Sequence, residues 1–136
     1  MSLEKDKIIE SHQPEVLERI FDSTYLAQTP LYSVMAQATK VPWLQIIPKQ
    51  PLDDPEYIGQ LYAEIQRLAN HLQSKGYGHS NIAKIGNKLP YAHIHLVFRQ
   101  ENDEAWPDAI WCHEPLKADA QQPQKLKKDL SDFFEC

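Results

Sequence analysis

The stretch LPYAHIHLVFRQ, Leu89 to Gln100, decides the fold. Side chains of an extended chain alternate, so Tyr91, His93, His95 and Val97 share one face and Ala92, Ile94, Leu96 and Phe98 the other. The second set is wholly apolar and reads as core. The first is polar and aromatic and reads as a ligand-facing surface, with His93 and His95 about 7 Å apart along the strand, so that both rings can meet one group of a ligand.

Outward from this strand, SNIAKIGN (80–87) alternates imperfectly and ends in Gly-Asn-Lys, which predicts an antiparallel hairpin with 91–99. Upstream, LYSVMAQ and PWLQIIPK are β-rich runs separated by a short turn, and strands are expected near 32–37 and 43–47. Between the two hairpins Ile58, Leu61, Ile65, Leu68 and Leu72 recur every three or four residues, with Asp54 as cap and Gly76 as stop. This is the strongest helix in the chain.

The termini carry less. PEVLERIFDSTYLAQTP places Val16, Leu17, Ile20 and Phe21 at helical spacing and predicts a short packing helix followed by a turn. EAWPDAIWCHEP has no helical period and reads as an ordered loop. Leu126, Leu130, Phe133 and Phe134 line one face of a terminal helix at about 124–135. The whole is α+β: an antiparallel sheet of about five strands with one main helix on one face, terminal helices, and the other face left for a ligand. There are no internal repeats, and residues 1–136 are expected to form one domain.

Composition narrows the functional classes. With 42% hydrophobic and 24% charged residues the chain has the make-up of a folded protein. A net charge of −5 argues against a nucleic-acid polymer as partner, because such binders cluster Lys and Arg against phosphates. Cys112 and Cys136 form neither a disulfide framework nor a CxxC site. The first residues have no apolar run of signal-peptide length, and nowhere do about 18 apolar residues stand together. These features predict a soluble cytoplasmic protein with no membrane partner.

His93 and His95 admit three readings on spacing alone: solvent-facing strand residues without a role, a metal half-site, or phosphorus chemistry. A closed metal site needs further ligands, and His12, His71, His79 and His113 are scattered without a second pair. In the third reading one neutral imidazole attacks phosphorus and a neighbouring imidazolium stabilises the oxygens. Gly86, Asn87 and Lys88, in the turn before the strand, could hold phosphate oxygens.

LPYAHIHLVFR resembles the signature of the histidine triad family, in which alternating histidines follow a Gly-containing hairpin. PWLQIIPKQPLDD is similar to that family's upstream strand with its apolar-Pro-Lys/Arg turn, and DEAWPDAIW resembles the Trp-Pro segment of a bacterial branch, so that the likeness spans roughly residues 26–111. The resemblance implies a HIT-like fold, a homodimer, a small nucleotide as ligand, no metal and no cofactor. By position it makes His93 the nucleophile and His95 the last triad histidine, which contacts the phosphate.

Other positions carry over from the same resemblance. Tyr91 stands at the first triad position, which in the bacterial branch is often not histidine. Trp43 stands where many members keep another histidine, and Gln37 lies near the Asp or Asn that holds ribose hydroxyls. Asn87 and Lys88 match the phosphate-side turn, while Leu89 replaces the usual Ser/Thr. Trp106 and Trp111 either plug the end of the sheet or wall the cleft for a base, and Arg99 reads as a surface charge. The implied activity is cleavage of a nucleotidyl P–N or P–O–P bond through a covalent histidine, as in phosphoramidases or Ap4A hydrolase-like enzymes. The alternative is a nucleotide-binding module with little or no turnover.

Overall fold

The computed structural model describes residues 6–113 and 115–134. Helix α1, Pro14–Phe21, begins with proline at its first turn, where the missing N–H is not needed, and closes on Asp22 in the left-handed region (φ 50°). Strands follow at Thr24–Gln28 (β1), Tyr32–Ala36 (β2) and Trp43–Pro48 (β3). Helix α2 then spans Pro55–Gln73, with β4 at His79–Ala83, β5 at Ile94–Arg99 and helix α3 at Gln122–Leu130.

The sheet is antiparallel with the order β1-β2-β3-β5-β4. Both expected hairpins form, and α2 carries the chain from β3 to the far edge so that β5 returns to the middle. Trp43 therefore pairs with Val97 and Gln45 with His95. This register brings the motif strand beside the strand that carries Trp43.

Asp54 caps α2 by accepting from the backbone N–H groups of Glu56 (3.0 Å) and Tyr57 (3.3 Å). Gly76, at φ 98°, ends the turn beyond it, a conformation that glycine adopts without strain. Leu61, Ile65, Leu68 and Leu72 of α2 are fully buried with Val34, Leu44, Ile46, Leu96 and Phe98 of the sheet. Leu126 and Leu130 of α3 join this core, and Phe133 and Phe134 pack against it. The last helix runs earlier than the expected 124–135. Glu135 and Cys136 lie outside the described residues, as do the first five residues and Glu114.

Two further expectations need correction. A strand, β1, forms where only a turn was expected after α1, although it buries Leu26 alone and is interrupted by a bulge between Tyr25 and Ala27. The opposite sheet face is not left wholly to a ligand: Leu17 and Phe21 of α1 cover Met35 and Ile47, and Val41 and Ile110 cover Val97. The loop after β5 contains one 3-10 turn, Ile110–Cys112. No helix among the described residues is long and apolar enough to cross a membrane.

Candidate functional site

Between the two covered ends of that face remains a cleft of about 530 Å³. His93 and His95 form part of its wall, their ring centroids 4.7 Å apart and nearly perpendicular. Both are buried, 6% and 5% exposed, so the reading as solvent-facing strand residues does not hold. Regular pairing in β5 starts at Ile94; His93 precedes it, yet keeps the alternation that turns it away from the α2 core.

The two rings are held in opposite tautomers. His93 Nδ1 lies 2.9 Å from the carbonyl oxygen of Tyr91, which can only accept, so Nδ1 carries the proton and Nε2 keeps its lone pair. The edge of Phe21 packs on this ring at 5.5 Å. Burial lowers the pKa of His93 from the usual imidazole value, opposed by the Tyr91 carbonyl and by Asp6.

His95 is the reverse case. The indole Nε1–H of Trp43 donates to its Nδ1 at 2.9 Å, which leaves Nε2 as the protonated nitrogen. Burial first, then the charge of a protonated His93, pushes its pKa down to about 4. The expected imidazolium partner is therefore a neutral N–H donor near pH 7. Its ring sits in an aromatic corner, 5.5 Å from Trp43 and 5.2 Å from Trp111, and the two indoles meet edge-on at 6.3 Å.

The turn after β4 supplies the opposite lip. Gly86 adopts φ 62°, a left-handed conformation that favours glycine, and Asn87 and Lys88 follow it, exposed and lining the cleft. Leu89 adds an apolar contact rather than a hydroxyl. Gln37 lines the same cleft, and its backbone N–H donates to the Trp43 carbonyl at 2.9 Å.

Two of the residues singled out in the sequence stand elsewhere. Tyr91 does not line the cleft: its ring leans on Phe21 at 6.5 Å, and it meets the site only through its carbonyl. Trp106 is also outside, 38% exposed and stacked under the Arg99 guanidinium at 5.7 Å, whereas Trp111 forms the wall. Arg99 itself is not a surface charge. It is 3% exposed, gives paired hydrogen bonds to Asp103 at 2.7 and 3.0 Å, and reaches Asn81 at 3.1 Å. Asp103 in turn accepts from the Ala105 N–H, so the ion pair ties the loop bearing Trp111 to the end of β5.

Sequence reasoning missed Phe21, Asp22 and Gln45, all of which line the cleft. The available sign was Gln45: a lone amide at a cleft-facing position of an otherwise apolar strand. Among the described residues no group of three or more His, Cys, Asp and Glu is arranged to hold a metal.

No family model and no curated protein sequence matches the chain. Solved structures do. The histidine triad protein blr8122 of Bradyrhizobium japonicum has a TM-score of 0.73 at 29% identity, over 90% of this chain and 96% of that one. A histidine triad protein of Marinobacter aquaeolei VT8 (TM-score 0.69, 23% identity, 85% of this chain and 91% of that one) shares the fold. So does the histidine triad protein SMc02904 of Sinorhizobium meliloti 1021 (0.72, 22%, 88% and 94%). Over nine-tenths of its length the chain shares the fold of a histidine triad protein, at 29% identity, and its His-x-His strand lines the cleft of that fold.

Proposed function

We propose that the protein binds a nucleotide by its phosphoryl end and hydrolyses or transfers the nucleotidyl group of a P–N or P–O–P bond, with His93 as the nucleophile. One observation carries this reading: the Nδ1–H of His93 donates a hydrogen bond to the Tyr91 carbonyl, so a neutral ring keeps the Nε2 lone pair for the cleft. Nε2 attacks phosphorus, the bond to the leaving group breaks, and that group departs with the electron pair and takes up a proton. Water then attacks the phosphohistidine, releasing the nucleoside monophosphate and restoring the imidazole.

In this reading the neutral Nε2–H of His95 donates to a phosphoryl oxygen, and Gly86, Asn87 and Lys88 hold the remaining oxygens from the turn. Trp43 and Trp111 offer aromatic walls for the base, and Gln37 stands for the sugar. Tyr91 acts only through its carbonyl, and Trp106 has no part. The protein works as a cytoplasmic homodimer without metal or cofactor, as the family likeness implies; light scattering on the purified chain tests the dimer.

The test is adduct trapping. Incubation with a nucleoside phosphoramidate and an alkaline quench should give a nucleotidyl adduct on His93 by mass spectrometry, and His93→Ala should lose both adduct and turnover by orders of magnitude. Turnover that survives the substitution would sink the mechanism.

A second reading, a nucleotide-binding module with little turnover, is favoured by Leu89, which gives a leaving group no hydroxyl, and by the Trp43 N–H that occupies His95 Nδ1. Binding of nucleoside phosphoramidates or dinucleoside polyphosphates with no turnover, unchanged in His93→Ala, would establish it.

A further inference from the structure

The floor of the cleft holds a polar side chain that neither histidine uses. Gln45 stands on β3 directly across from His95 on β5, with Met35 of β2 on its other side. Cross-strand neighbours of this kind have Cβ atoms about 5 Å apart, and both side chains face the cleft. Gln45 is 4% exposed. Its carbonyl oxygen Oε1 accepts from the Ser23 hydroxyl at 2.6 Å. Ser23 follows Asp22, whose left-handed backbone ends α1 and turns the chain toward the sheet.

Ser23 satisfies one end of the amide only. The hydrogen bond from Ser23 leaves the nitrogen Nε2 uninvolved, and Gln45 lines the cleft. Beside the apolar cluster of Met35, Ile47, Phe21 and Leu17, an amide held at one end and turned to a cleft costs more to bury than an apolar side chain of the same size unless something meets its free end. Such a group at a cleft wall points to a ligand that meets it. With Oε1 tied to Ser23, the free end is a pair of N–H donors, which attracts anionic oxygens and repels positive groups.

We infer that Gln45 is a further donor to the phosphoryl group bound beside His93 and His95, with Ser23 as the positioning residue that aims its amide. The inference rests on the phosphoryl-binding reading above and adds a contact to it. Hydrogen bonds from N–H to a charged oxygen are shorter and stronger than neutral ones. A neutral donor also suits this site, where burial disfavours a charged His95.

The experiment compares the full chain with Gln45→Met, Gln45→Glu and Ser23→Ala, using adenosine 5′-monophosphate and adenosine as calorimetric probes and thermal melting as a control. Gln45→Met keeps the volume and removes the donors, so it should weaken monophosphate binding roughly tenfold or more, the weight of one hydrogen bond to a charged group. Adenosine binding should stay as it was, and Tm should hold or rise. Gln45→Glu should weaken the monophosphate further and regain part of the loss as acid protonates the new carboxyl. Ser23→Ala should weaken it less than Gln45→Met and add nothing on the Gln45→Met background.

A lower Tm with equal loss for both probes would overturn the inference by making the amide structural. An unchanged monophosphate affinity in Gln45→Met would overturn it while leaving the phosphoryl-binding reading intact. A wild-type chain that binds the monophosphate no better than adenosine would overturn both.

Discussion

Trp43 and His95 are joined by a 2.9 Å hydrogen bond in which the indole N–H caps the imidazole Nδ1. Because an indole nitrogen only donates, the bond exists only while Nδ1 is unprotonated. It adds to burial and the His93 charge, which already hold His95 near pKa 4. Trp43→Phe keeps an aromatic wall and removes the donor. In that variant the His95 pKa should rise and the ring should populate both tautomers, whereas the wild type shows one tautomer and no titration above about pH 5. Nitrogen-detected NMR across pH reads both; a wild-type His95 titrating near 6.5 would contradict the capped geometry.

The role of Tyr91 is confined to its backbone. Its carbonyl fixes the His93 tautomer while its ring leans on Phe21, outside the cleft. Tyr91→His is therefore expected to leave turnover close to wild type, since any residue at this position keeps the carbonyl. A large gain in kcat/KM would mean that a side chain here can reach the reacting group after all.

What the sequence made legible follows from periodicity. The strand of His93 and His95 and helix α2 were readable because each buries one clean face, and a face repeats at a fixed spacing. Strand β1 was not, since it buries Leu26 alone and carries a bulge, which leaves no alternation to detect. The choice between Trp106 and Trp111 was equally hidden, for both lie in an aperiodic loop whose path is set by a tertiary bond. Arg99 makes that bond, and one Arg at a strand end looks the same in sequence whether it meets solvent or Asp103.

That ion pair yields a prediction of its own. Arg99 and Asp103 side chains are 2% and 9% exposed, and breaking a buried pair leaves an uncompensated charge, which costs about 3 kcal/mol or more. Arg99→Met should lose about that much in denaturant unfolding at pH 7, and Arg99→Met with Asp103→Leu should recover most of it. Hydrogen bonds from Arg99 hold the Asp103 carboxyl below its usual 3.8. A carboxylate depressed in this way stabilises fully above the unfolded value and progressively less as pH falls below it, so the deficit should shrink in acid. Because the loop carries Trp111, surviving protein should show a raised KM with kcat less affected. An Arg99→Met chain as stable as wild type would mean that the pair is idle.

The acid limb of the rate profile tests the nucleophile most directly. Only a neutral imidazole can attack phosphorus, so activity should fall as His93 gains a proton. Burial beside Phe21 lowers its pKa, and the Tyr91 carbonyl and Asp6 only partly oppose this, so for the free protein the limb in kcat/KM should lie below 6.5. The contact partner matters here: Trp43 packs on His95, so Phe21, not Trp43, is the residue whose removal should move the limb. Phe21→Ala admits water to the ring, and the limb should shift up toward the ordinary value. A bound phosphoryl group favours the charged ring and raises the limb in kcat relative to that in kcat/KM, provided the chemical step limits the rate. His95, near 4, should contribute only a second and steeper fall at the acid extreme. A kcat/KM profile with its limb above 6.5, unmoved by Phe21→Ala, would assign the titrating group to a residue other than His93.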